Sequence, residues 1–64
     1  VEYHYVMTVQ TRDGTQATLQ DVVTVTPGRT TRSVAYREIR AMVARELGLS
    51  RFIVLFFAME PNQL

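Results

Sequence analysis

The chain has no cysteine, no lysine and a single histidine. Without cysteine there are no disulfides and no thiolate metal sites. One imidazole, His4, cannot anchor a metal cluster when the six acidic residues are scattered along the chain. No apolar run approaches the ~20 residues that span a bilayer. No basic stretch followed by an apolar one opens the sequence as a secretory signal would. The expectation is a cytoplasmic protein with no membrane contact and no cofactor. Chemical signatures are missing too: there is no glycine-rich phosphate loop, no GxSxG, no HExxH and no paired-carboxylate spacing. A non-enzymatic protein is expected.

What remains is 64 residues, 47% apolar and 20% charged, with a net charge of +1. That composition is globular, not disordered. It makes one domain, residues 1–64. A domain of about 60 residues buries only ~60% of its unfolded surface and usually needs a staple or a partner. With disulfides and metals set aside, self-association or another protein partner is the remaining source of extra core. All seven basic residues are arginine, a bias that GC-rich coding produces.

The first segment, "EYHYVMTVQT", alternates. Tyr3, Tyr5, Met7 and Val9 share one parity; His4, Val6, Thr8 and Gln10 share the other. This is a strand with one apolar face. "RDG" separates it from a β-branched segment, "TQATLQDVVTVT". A two-residue turn at Asp13-Gly14 would set Val9 opposite Thr18 and mix the faces. A three-residue loop, Arg12-Asp13-Gly14, sets Val9 opposite Ala17, Met7 opposite Leu19 and Tyr3 opposite Val23. It also puts Gly14 where the loop needs a left-handed residue. That register is expected. Its one mismatch is Tyr5 opposite Asp21, with a bulge near Val22 and Val23 as the relief.

"TPGRTT" breaks the second strand and offers threonine caps. A helix is predicted over about 31–47, with Ala35, Tyr36, Ile39, Met42, Val43 and Leu47 in one stripe and Gly48 as its stop. Leu49, Ser50 and Arg51 turn the chain into a last strand that Pro61 ends. The expected fold is α+β: a ββαβ two-layer domain with a three-stranded antiparallel sheet in the order 2-1-3. A right-handed crossover fits that order.

The last strand, "FIVLFFAME", is apolar at both parities. Either Phe52, Val54, Phe56 and Ala58 or Ile53, Leu55, Phe57 and Met59 would meet the helix, leaving the other set on a face nothing in the chain covers. An edge strand this apolar invites pairing. A second copy is the simplest cover, since isologous dimers are the commonest closed assembly. The candidate interface is Val6, Val22, Ile53, Leu55, Phe56 and Phe57.

The second candidate surface is basic. Arg29 and Arg32 flank the helix start, where the macrodipole disfavours cations, and Arg37 and Arg40 lie off the apolar stripe with no glutamate three or four residues away. Such guanidinium groups could grip phosphate. A nucleic-acid-binding protein is therefore the alternative reading, opposed by the near-neutral charge and the lack of any recognition motif. An enzyme ranks third. His4 could act as acid or base beside Glu2 or Asp21, but no nucleophile is spaced to accompany it, and an ordinary strand histidine is the simpler view. Asp21 could be a buried acid, a bulge marker or an acceptor for the Tyr5 hydroxyl.

The ββα order followed by a strand resembles the opening of a β-grasp fold such as ubiquitin, without the later strands. Double-stranded-RNA-binding domains place their helices differently. "EYHYVMTVQT" together with "FFAMEPNQL" resembles small actinobacterial proteins with an EPNxL-type C-terminus. That resemblance covers most of the chain, agrees with arginine in place of lysine, and implies no activity.

Overall fold

The computed structural model describes residues 1–49 and 51–64. Ser50, which the sequence places in the turn before the last strand, lies outside the described residues. Strand β1 (Glu2–Gln10) and strand β2 (Gln16–Thr24) lead to helix α1 (Arg32–Leu47) and strand β3 (Ile53–Pro61). The sheet is antiparallel throughout, in the order β2-β1-β3. The expected ββαβ two-layer fold is the observed one.

The hairpin has the apolar-on-apolar register. Val9 lies opposite Ala17, Met7 opposite Leu19 and Tyr3 opposite Val23. The loop is Arg12-Asp13-Gly14, closed by Thr11 N–H to Thr15 C=O at 2.8 Å and Gly14 N–H to Thr11 C=O at 3.0 Å. Gly14 has φ +91°, which a residue with a Cβ rarely adopts. The Asp13 carboxylate accepts the Thr11 hydroxyl and, at 3.0 Å, the Thr15 N–H. Those bonds, the Thr11 hydroxyl first, lower its pKa to about 2.

Helix α1 starts at Thr31, whose hydroxyl accepts the Val34 N–H at 3.2 Å. It ends in a Schellman arrangement. Gly48, at φ +65°, donates to the Arg45 carbonyl, and Leu49 donates to the Ala44 carbonyl at 3.0 Å. Both ends are closed by residues whose local chemistry supplies the missing bonds. The buried stripe is Ala35, Ile39 and Val43, of which Ile39 and Val43 pack with Tyr5, Met7 and Val9 of the central strand. Met7 and Val9 are fully buried.

Two expectations about the sheet need correction. The β1–β2 ladder runs without interruption through Tyr5–Asp21 and His4–Val22, so no bulge lies there. Asp21 is exposed. Pointing its carboxylate at the edge of the fold removes the need for relief. The irregularity lies in β3, where Thr8 pairs with Phe56 and Val9 with Val54, leaving Leu55 without a partner. One extra residue reverses parity. Neither complete parity of β3 meets the helix: Val54 does before the bulge, and Phe57 and Met59 do after it. Phe57 meets Tyr36 edge to face, ring centroids 5.0 Å apart. Phe57, a candidate interface residue, therefore packs against the core on the helix side and not on the open face.

Candidate functional site

The helix covers one side of the sheet. On the other, β1 presents His4, Val6, Thr8 and Gln10, and the cross-strand pairs add Val22, Gln20, Thr18 and Gln16 from β2. From β3 come Glu60, Ala58, Phe56 and Ile53. Small polar links tie the first two strands together: Thr8 and Thr18 share a hydroxyl bond of 3.0 Å, and His4 Nε2 lies 2.9 Å from Gln20 Oε1. The β3 side is different in kind. Ile53 is 58% exposed, Phe56 55% and Leu55 47%; Val22 adds 38% from β2. Of the six expected interface residues, Val6, Val22, Ile53 and Phe56 share this face, Leu55 stands at the bulge beside it, and Phe57 has left it. Ala58, opposite Val6, joins the set. It was detectable from sequence only by knowing that the bulge flips its parity.

The molecule is also too open for its mass. Its accessible surface is 4798 Å². A compact monomer of this mass exposes about 4,200 Å², so roughly 600 Å² is in excess. The radius of gyration is 12.1 Å, where about 10.7 Å is expected for this length. Extents of 38 × 22 × 16 Å describe a slab. A sheet with one helix on one side has this shape, because nothing in the chain packs on the sheet's other side.

The basic candidates sit in the turn before the helix and along the helix. Arg29 lies in the turn closed by its own N–H to Thr26 C=O at 3.0 Å. Arg32 opens the helix, and Arg37 is exposed on it. Arg40 is only half exposed. Its guanidinium lies 4.5 Å above the Phe52 ring centroid and donates to the Phe52 carbonyl at 3.1 Å. That cation–π contact and hydrogen bond pin the segment entering β3 to the helix, so Arg40 is committed to the fold. The arginines the fold does bring together were not singled out from sequence. Arg12 and Arg51 line one open cleft with Thr11, Asp13, Gly48 and Leu49. The pairing of Gln10 with Ile53 carries both to the same end of the sheet. The helix C-terminus and Asp13 in that cleft oppose an anion there.

His4 bonds an amide, not a carboxylate or a nucleophile. Asp21 accepts the Val22 N–H at 2.8 Å. Tyr5 feels Asp21 through charge: burial first, then the Asp21 and Glu46 carboxylates, raises the Tyr5 hydroxyl pKa. Among the described residues no group of three or more His, Asp or Glu is placed to hold a metal ion, and no helix is long and apolar enough to cross a membrane. No family model matches the chain, nor does any curated protein or solved structure.

Proposed function

We propose that the protein is a small non-enzymatic interaction module that homodimerises through the side of its sheet that the helix leaves open, at the sheet face or the β3 edge. The observation that carries this reading is the exposure of Ile53 and Phe56 on the open face of one edge strand, with Leu55 at the bulge beside them and Val22 across the face. Burying one such side chain contributes roughly 1.5–3 kcal/mol. The excess surface is close to the ~800 Å² per partner that a standard stable interface removes from water. Two copies supply each other with the layer each one lacks, which a chain with no disulfide to staple it needs.

Nucleic-acid binding is the weaker reading. Of its four arginines, Arg40 is held by Phe52, which leaves Arg29, Arg32 and Arg37 for phosphate. A salt-dependent gel shift separates the two, because phosphate contacts weaken steeply as salt rises.

Sedimentation velocity at micromolar concentrations tests the dimer. The wild type should sediment as a dimer of 7.3 kDa chains. Phe56→Asp should sediment as a folded monomer with unchanged helix content, because a carboxylate at the interface centre must be desolvated without a partner. Equal sedimentation of the two proteins as monomers would end the proposal.

A further inference from the structure

The proposed dimer leaves two geometries open, and the surface chemistry separates them. Pairing β3 with the β3 of a second copy would make one continuous six-stranded sheet. Such pairing satisfies the free backbone groups of the edge. It leaves Ile53, Phe56 and Val22 in water, because side chains stand perpendicular to the sheet. The bulge at Leu55 also falls inside β3 and breaks the regular spacing an incoming strand needs. Stacking two sheets face to face buries all three side chains.

The open face is also lopsided. Its β3 side carries Ile53, Phe56 and Ala58, with Glu60 at one end; its β2 side carries Gln16, Thr18 and Gln20, with Val22 at that same end. A twofold axis parallel to the strands would lay β3 on the partner's β2, apolar against amide and hydroxyl. An axis crossing the strands lays β3 on β3 and β2 on β2, so that like chemistry meets like.

We infer that the second copy docks sheet on sheet, each strand over its own counterpart, with Ile53 and Phe56 of both chains in the shared core and the two β2 strands facing each other along a polar rim. This inference rests on the proposed homodimer and adds its geometry. It makes the assembly a four-layer helix–sheet–sheet–helix sandwich, with both helices outermost.

The chain's lack of cysteine makes one introduced thiol a unique probe. Thr18 lies on the open face of β2 and is exposed, so Thr18→Cys reports the separation of the two β2 strands. Stacked sheets lie ~10 Å apart, whereas in a continuous sheet the two β2 strands are five strand spacings, about 24 Å, apart. A bis-maleimide cross-linker of ~10 Å reach, matched to the stacked spacing, should join most of the Thr18→Cys protein into covalent dimers at concentrations where it sediments as a dimer. A sedimenting dimer that fails to link through Thr18→Cys, while Leu55→Cys links readily, would overturn the stacked geometry and leave the homodimer standing. A monomer at every concentration would overturn both.

Discussion

The two faces of the sheet are made from the same three strands and differ in how their apolar groups are finished. Toward the helix, Tyr5, Met7 and Val9 are at most 6% exposed and meet Ile39 and Val43. Away from it, side chains of equal hydrophobicity, Ile53 and Phe56, stand more than half in water. The central strand alternates cleanly, and its outward residues are His4, Val6, Thr8 and Gln10. The edge strand lacks that alternation. It contributes Val54, Phe57 and Met59 to the helix side and still carries apolar residues on the far side. A strand that needed only one buried face would have placed polar residues there.

Breaking the inner face should give the largest effect. Ile39→Ala removes a side chain that is 1% exposed. It should cost about 2–5 kcal/mol, seen as a fall in the denaturant midpoint at every protein concentration. Phe56→Asp, on the outer face, should lower stability only to the level of the isolated chain and abolish its dependence on concentration. Similar concentration-independent losses for both would mean that the faces do not differ as described.

A smaller effect sharpens the contrast between arginines. Arg40→Ala loses a hydrogen bond to the Phe52 carbonyl and the stack on its ring, for about 1–2 kcal/mol. Exposed Arg37→Ala should stay within ~0.5 kcal/mol of wild type. Equal effects in chemical denaturation would contradict the structural role of Arg40.

The smallest effect concerns the hairpin loop. The Asp13 pKa is lowered from 3.8 to about 2 in the folded protein. A depressed carboxylate stabilises the fold above its unfolded pKa, and that stabilisation is lost as pH falls through its folded value. A shallow loss of stability is therefore expected between pH 3.8 and about 2. In Asp13→Asn, acid titration followed by circular dichroism should lack that component. The same acid limb in both proteins would place its origin elsewhere.

The hairpin and the helix were legible in the sequence for local reasons. A period of two in β1 leaves one register that keeps Met7 on Leu19 and Val9 on Ala17, and Gly14 supplies the conformation that register requires. Thr31 and Gly48 mark the helix ends by the bonds they make or permit. The register of β3 was not legible. With apolar residues at both parities, sliding or bulging the strand costs little in transfer free energy, so the pattern does not choose. The choice is made by tertiary fit, where Phe57 finds Tyr36 and Leu55 is left over. Asp21 was expected to perturb β2 because it falls on the apolar parity. It lies where the sheet edge lets it reach water. Arg40 looked free because its contact, Phe52, follows twelve residues later and no helical spacing announces it.

The most direct measurement is the thermal midpoint as a function of dilution. If a second copy covers the open face, folding is coupled to association, and a hundredfold rise in protein concentration adds about 2.7 kcal/mol per dimer, or ~1.4 kcal/mol per chain. For a domain of this size each kcal/mol moves the midpoint by ~4–8 °C. The midpoint should therefore climb by roughly 6–11 °C across that range. A soluble wild-type chain whose midpoint is the same at every dilution would contradict the account, and the apolar side chains of β3 would then face water in the stable protein.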